Sequence, residues 1–478
     1  MSGVSAAQDG GPVAGTTASS RSPYTLAIAA DTDRSLVRGW LWLGLLALIV
    51  SGVYSILLVA SRTPGINAML PVADFFRVAL VVHVDLSVLV WFLALAGMLW
   101  SLSSRPRVPA LGWLALALAC AGTAMLGIAP FAGSGLPIMA NYIPVLDGGM
   151  FLYGLGVLGV AAALLVLRSL IAAPALGMAF DGSDVLRFGL NASVIATAVA
   201  LLAFAASLWL TPGGLDSQTY YEIAFWGGGH ALQFTWTLLM LVAWLWLASE
   251  IGARIPLSPR IALLLLMLAL VSVFVTPWAY LAHDVSTVEH RDLHTWAMRL
   301  GGGISIVPIG LAVVIGLVGS RRSPQPGHDA LRAALIASMI LFASGGIIGI
   351  FISGSNVRIP AHYHGCIVGV TLALMGLVYL LLPKLGYRTP QGRMARWQPS
   401  LYGAGQLMHI IGLVWSGGYG VQRKVAGAEQ ILRSKAEIAG MGLMGMGGLI
   451  AIIGGLLFVI VVWKALRAPQ SVAKEGQS

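Results

Sequence analysis

Apolar stretches long enough to cross a bilayer alternate along the chain with short connectors that hold many of the prolines and most of the charge. A hydrocarbon core about 30 Å thick takes about 20 helical residues at about 1.5 Å each. Runs of that length fall at about 39–60, 76–100, 109–131, 149–171, 188–211, 220–248, 260–282, 296–319, 329–353, 361–383, 400–420 and 439–463. The pattern predicts an all-α polytopic membrane protein, a bundle of twelve transmembrane helices, over residues 36–467. Residues 1–35 are rich in Ser, Gly and Ala and have no apolar core. They read as a disordered tail and not as a signal peptide, because no basic stretch leads into a short apolar one. Residues 468–478 read as a second tail.

Composition agrees with the pattern. The 478 residues are 58% apolar and 10% charged, with a mean hydropathy of +0.86. Soluble domains carry about 25% charged residues, so a soluble enzyme is excluded. The formal net charge of +10 matters less than where the 28 basic residues fall. The N-terminal tail, the even-to-odd loops and the C-terminus hold 19 of them, and the other loops hold 9. Positive charge collects on the cytoplasmic side, so both termini are expected there, and the charge calls for no nucleic acid. Cys120 and Cys366 stand far apart and form neither a thiolate metal site nor a c-type haem attachment.

The chemistry lies in histidine. His83, His230, His283, His362 and His364 fall on four different predicted helices, all nearer the outer face. An imidazole in hydrocarbon is costly unless partnered, and five converging at one level read as ligands of metals or cofactors. At about 100° per residue, His362 and His364 point about 200° apart. They cannot share one metal, but they can serve two centres flanking one helix, as axial haem ligands.

These residues carry a resemblance. His83, NYIPVLDG at 141–148, FWGGGH at 225–230, the histidine ending helix 7, IPAHYHG at 359–365 and GYGVQRK at 418–424 are similar to subunit I of the haem–copper oxidoreductase superfamily. That superfamily includes cytochrome c oxidases and nitric oxide reductases, and the likeness runs over all twelve helices. It implies that His83 and His364 ligate a low-spin haem and that His362 is the proximal ligand of a high-spin haem. It also implies that His230 and His283 hold a facing non-haem metal, copper or iron. Arg423 and Lys424 match the basic pair used for haem propionates. The likeness further implies a bacterial inner-membrane location with the haems toward the outer face. With no copper-binding or c-haem motif of its own, the chain calls for a donor-binding partner subunit, or for cytochrome c or quinol.

Three departures from the family pattern bear on the substrate. A second histidine usually follows the one at the end of helix 7; here Asp284 stands there. It is read either as a third ligand, giving a two-imidazole, one-carboxylate site suited to iron, or as a solvated helix end. The positions that hold a tyrosine in oxygen-reducing members are Phe234 and Thr287, with Tyr280 as an unorthodox substitute or a packing residue. Leu232 replaces a glutamate used by pumping oxidases, while Glu222 could deliver protons from outside or simply cap a helix. Asp85, Glu289, His290, Asp292 and His294 are read as loop or supporting residues, His328 as solvated and His409 as a packing residue. The Gly-Gly-Gly runs at 227–229 and 301–303 suit close helix contacts. The departures favour reduction of nitric oxide to nitrous oxide over reduction of oxygen to water. A proton-coupled transporter is the remaining class, and it leaves the opposed pair His362 and His364 unexplained.

Overall fold

A computed structural model of the chain describes residues 24–66, 73–133, 135–177, 179–320, 325–352, 356–423 and 431–467. Twelve long helices follow one another: α1 (Arg34–Arg62), α2 (Ala73–Val84, continuing through a π-helical stretch Asp85–Val90 and Trp91–Ser103), α3 (Pro109–Ile128) and α4 (Gly149–Ile171). Next come α5 (Gly182–Leu210), α6 (Ser217–Glu250), α7 (Pro259–Ala282, interrupted at Phe274) and α8 (Val288–Val318). α9 (His328–Ile350), α10 (Arg358–Lys384), α11 (Gly392–Gly418) and α12 (Lys435–Leu466) complete the bundle. Eleven of these are apolar and long enough to cross a membrane. The exception, α11, spends part of its inner face on polar groups: Gln398 is fully buried, accepts from the Tyr379 hydroxyl at 2.9 Å and donates to the Gly454 carbonyl at 3.2 Å.

Short polar residues start the helices. Asp33, Asp216, Ser258, Thr287 and Ser434 each accept from a backbone N–H in the first turn that follows, and Asp181 and Asp184 form a reciprocal capping box on α5. Such caps satisfy donors that the helix itself leaves open. α6 and α10 are the centre of the bundle: 89% of the most apolar window of each is buried, against 33–61% for the other spans. Every other helix turns one face outward, so the histidines of α6 and α10 sit where lipid is most completely excluded.

Small residues set the spacing around this centre. A Cβ on Gly345 of α9 would stand 2.5 Å from the Cys366 nitrogen and 2.7 Å from the Gly365 carbonyl carbon of α10. Only glycine admits that approach, the usual device where helices meet in lipid.

Two parts of the fold depart from expectation. Residues 24–33 of the tail are anchored by buried side chains: Tyr24, Leu26 and Thr32 are buried, and the Tyr24 hydroxyl donates to the Leu257 carbonyl at 2.7 Å. Isolated anchors such as Tyr24 and Leu26 give no periodic signal, which is why composition alone read this stretch as disordered; residues 1–23 and 468–478 lie outside the described residues. The second departure is that α8 begins at Val288, eight residues before the apolar run. Its first two turns carry Glu289, Arg291 and Asp292 outward and His290 and His294 inward. Between α3 and α4 a small antiparallel hairpin, β1 (Leu136–Ile138) against β2 (Val145–Asp147), pairs Leu136 with Asp147 and Ile138 with Val145. Its tip holds Asn141 and Tyr142.

Gly365→Leu is expected to destabilise the bundle by at least the ~1–3 kcal/mol of overpacking, whereas Gly52→Ala, with open space at its Cβ, should be neutral or stabilising by up to ~1 kcal/mol. Thermal unfolding of the purified variants in detergent checks both.

Candidate functional site

Two groups of imidazoles form around α6 and α10. In the first, His83 of α2 gives its Nδ1 proton to the Ser51 carbonyl of α1 at 3.0 Å, with the Ser51 hydroxyl 2.9 Å away. His364 of α10 packs on His409 of α11, ring centroids 4.7 Å apart, and His409 Nδ1 donates to the Met444 carbonyl of α12 at 3.0 Å. A carbonyl oxygen can only accept, so the proton is fixed on Nδ1 in His83 and His409, and Nε2 keeps its lone pair. His83, His409 and Arg62 all lie close enough to act electrostatically on His364.

His362 takes the opposite side of α10, as its spacing from His364 requires. Its Nδ1 donates to the Gly345 carbonyl of α9 at 2.7 Å, again leaving Nε2 available. Gly349 makes room for the ring, since a Cβ there would stand 2.8 Å from Nδ1.

The second group joins α6 to the start of α8. Thr287 caps α8 by accepting from His290 N at 3.3 Å. His290 and His294, four residues apart, therefore share one face. Their ring centroids are 4.6 Å apart, and His294 lies 5.9 Å from His230. The side chain of Trp226 locks the two helices together, donating to the Arg291 carbonyl at 3.2 Å while the Arg291 guanidinium lies 5.0 Å over its ring. All three histidines are buried. His230 Nδ1 donates to the Trp226 carbonyl at 2.9 Å, and His294 Nδ1 donates to the His290 carbonyl at 2.8 Å. His294 Nε2 and His290 Nδ1 are buried without a hydrogen-bond partner among the described residues. No set of three or more His, Cys, Asp or Glu side chains among those residues already converges on one metal position. Still, two orphaned imidazole nitrogens beside a third ring are a donor set that a metal ion would satisfy, and imidazole suits copper, iron or zinc.

Two tyrosines touch this group. Tyr142, carried in by the hairpin, donates its phenol proton to His230 Nε2 at 2.9 Å and stands edge-on to Trp226. Burial pushes that phenol well above its ordinary pKa, and Tyr363 and Glu222 add to the shift, so it holds its proton. Tyr280 of α7 lies edge-on to His290, centroids 4.7 Å apart, and its hydroxyl is tied to Ser207 at 2.5 Å and the Ala203 carbonyl at 3.0 Å. The Gly-Gly-Gly run of α6 explains the approach: a Cβ at Gly227 would meet Tyr280, at Gly228 Phe204, and at Gly229 Tyr142.

The residues expected at the metal site divide accordingly. His230 is in the buried group; His283 and Asp284 lie within electrostatic reach of His290, but their side chains are half-exposed and exposed instead of buried with the trio. His283 ends α7 in extended conformation, half-exposed. Asp284 is exposed and accepts from Ser286 N at 2.9 Å and Ser286 Oγ at 2.5 Å, bonds that hold its carboxyl below the usual range. That turn feeds α8, whose His290 and His294 take the inward places that sequence reasoning gave to the pair before it. The regular spacing HxxxH behind a Thr cap was the signal that could have found them. Glu222 is half-buried and accepts from Asn141 Nδ2 at 2.8 Å and Gln218 Nε2 at 3.1 Å, and Arg423 donates to Asn141 Oδ1 at 3.1 Å. Lys424 lies outside the described residues. Asp85 is buried in the π-helical stretch of α2, with Oδ2 unpartnered among the described residues. His328 opens α9 half-buried, instead of standing in a solvated loop.

Comparison with known proteins places this geometry. The chain is 29% identical to an uncharacterised protein of Rickettsia prowazekii (strain Madrid E) over 91% of its own length and 96% of the relative's. It is 28% identical to an uncharacterised protein of Aquifex aeolicus (strain VF5) over 75% and 88%. A solved structure of a heme-copper terminal oxidase dimer shares the fold, with a TM-score of 0.68 over 91% of this chain and 84% of that one at 18% identity. The family model described as Cytochrome C and Quinol oxidase polypeptide I matches residues 35–457, from α1 into α12. The chain therefore belongs to the cytochrome c and quinol oxidase polypeptide I family and is an integral membrane oxidoreductase of the haem–copper type.

Proposed function

We propose that this chain is the catalytic subunit of a bacterial respiratory terminal oxidase that reduces dioxygen to water. The observation that carries the reading is the buried trio His230, His290 and His294 with the Tyr142 phenol hydrogen-bonded to His230. Two of the three sequence arguments for nitric oxide rested on Asp284 as a ligand and on the lack of a tyrosine. The geometry supports neither. Membership of an oxidoreductase family leaves the transporter alternative without support.

In this reading His83 and His364 hold a low-spin haem, His362 a high-spin haem, and the trio a copper or iron ion. When bound, these groups would supply the electrons for reduction of the gas. The rest is work of the chain. The Ser51, Gly345 and Trp226 carbonyls fix the tautomers of His83, His362 and His230, so that Nε2 would be the ligating nitrogen of each; in His230 that nitrogen now accepts the Tyr142 proton, which a bound metal would displace. Tyr142 keeps a proton at its hydroxyl, beside His230, where it would be available to the substrate as a proton donor. Tyr280 steadies His290, and Phe204 and Phe225 help close that side to water. Arg423, tied to Asn141, would pair with a haem propionate. The donor is a partner subunit, cytochrome c or quinol on the outer side, with both termini in the cytoplasm.

Glu222 favours a second reading, nitric oxide reduction to nitrous oxide. Eight residues ahead of His230, it stands about 12 Å along α6 toward the helix start, and it accepts from Asn141, the residue next to Tyr142. That is a place from which a carboxyl could pass protons inward.

Turnover of oxygen and nitric oxide on one purified sample separates the two: the account expects brisk oxygen uptake, and nitric oxide consumption with little oxygen uptake would overturn it. His294→Ala should remove the non-haem metal and leave the low-spin haem band in a reduced-minus-oxidised spectrum, while His83→Ala should do the reverse. Tyr142→Phe should slow turnover by about 10²–10⁴, the range for loss of a positioned proton donor, with metal content unchanged. Asp284→Asn, a surface change, should shift stability by no more than about 0.5 kcal/mol and leave metal content intact. Loss of metal in Asp284→Asn would restore the carboxylate-ligand reading.

A further inference from the structure

Away from the histidines, α9 and α11 diverge enough to leave a groove of about 560 Å³ open to the surroundings. We infer that this groove binds one anionic phospholipid, its phosphodiester held by Arg396 and Arg332 and an acyl chain laid along the recess.

The groove has a polar mouth and an apolar floor. Asp329, Arg332, Arg396 and Ser400 line the mouth; Ala337, Gly403, Ala404 and Leu407 are among the residues that line the floor. Both helices begin at this end. From Arg396 to Leu407 is eleven residues, about 16 Å of helix, close to half of a hydrocarbon core about 30 Å thick. The recess is therefore one leaflet deep, which suits an acyl chain and exceeds what a short amphiphile needs. Its floor combines the small residues Ala337, Gly403 and Ala404 with the aliphatic side chains of Ile340, Leu341 and Leu407, all on the two helices, so the recess does not depend on one mobile residue.

Charge at the mouth selects the headgroup. Arg396 is exposed and has no carboxylate within ion-pair distance among the described residues. Arg332 is held in place by donating to Ser320 Oγ and the Leu317 carbonyl, both at 3.1 Å, which aims the guanidinium without neutralising it. Asp329 pairs with neither. α11 starts without a side-chain cap and without an acidic residue in its first turn, and it carries Arg393 and Arg396 there instead. Cations at a helix N-terminus oppose its dipole. An anion at the mouth relieves that repulsion, accepts from the uncapped N–H groups and matches the guanidinium fork. The arginines outnumber the single aspartate, so a lipid of net negative charge fits better than a zwitterionic one. Basic residues facing the cytoplasmic leaflet are where such lipids are met.

The test is native mass spectrometry of the full chain purified in detergent with added palmitoyl-oleoyl phosphatidylglycerol or, separately, palmitoyl-oleoyl phosphatidylcholine. The wild type should retain one phosphatidylglycerol per chain in preference to phosphatidylcholine. Arg396→Gln should weaken that retention about tenfold, as expected for one charge-assisted contact. Ala404→Phe, which fills the floor, should abolish retention of both lipids. Unfolding midpoints confirm that the variants are folded, and Arg396→Gln, at an exposed position, carries the decision alone if Ala404→Phe does not fold. Retention unchanged in Arg396→Gln, phosphatidylcholine kept as well as phosphatidylglycerol, or no lipid retained by the wild type would each overturn the inference.

Discussion

An imidazole in the interior of a membrane protein has two nitrogens to account for, and this chain settles one of them the same way five times. His83, His230, His294, His362 and His409 each give the Nδ1 proton to a backbone carbonyl. Because a carbonyl cannot donate, the tautomer is decided by geometry, and each Nε2 is left as an acceptor, which in His230 takes the Tyr142 proton. Two of those carbonyls lie one turn back on the same helix, while Ser51, Gly345 and Met444 belong to a neighbouring helix. The close approach of α9 to α10 at Gly345 is therefore part of the chemistry as well as of the packing. Loosening a helix contact would free a ring before it broke any ligand.

The central place of α6 and α10 follows from the same constraint. These two helices are buried on nearly every side, so they can carry groups that lipid would reject. Glycine does the complementary work at 227–229, where three successive positions let Tyr280, Phe204 and Tyr142 come up to the helix on different sides. The small hairpin between α3 and α4 delivers Tyr142 to His230, a contact between residues 88 apart in sequence. Packing, tautomer and proton donor thus depend on one local arrangement.

The twelve helices were legible because their length is dictated by the bilayer and their ends by caps and prolines. His362 and His364 were legible as a pair facing two ways because helical geometry leaves no other choice. The start of α8 was hidden by its own polarity: Glu289, Arg291 and Asp292 make residues 288–295 look like a loop, although the inward positions 290 and 294 repeat at helical spacing. Reading Asp284 by analogy with an adjacent histidine pair led to a carboxylate that in fact makes a solvent-facing turn with Ser286. Tyr142 stood in a stretch that carries the resemblance, NYIPVLDG, but nothing local marks a tyrosine at a hairpin tip as a partner of a distant ring. Three imidazoles in place of two and a carboxylate would make the proposed site softer, which would favour copper.

The central claim is that the non-haem metal is held by α6 and α8 and not by the end of α7. X-ray absorption at the edge of that metal, on the purified oxidised protein, tests it most directly. The account predicts a shell of imidazole nitrogens with the outer-ring scattering of three histidines, reduced by one in His290→Ala and unchanged in Asp284→Asn. A shell with a carboxylate oxygen that disappears in Asp284→Asn would contradict it.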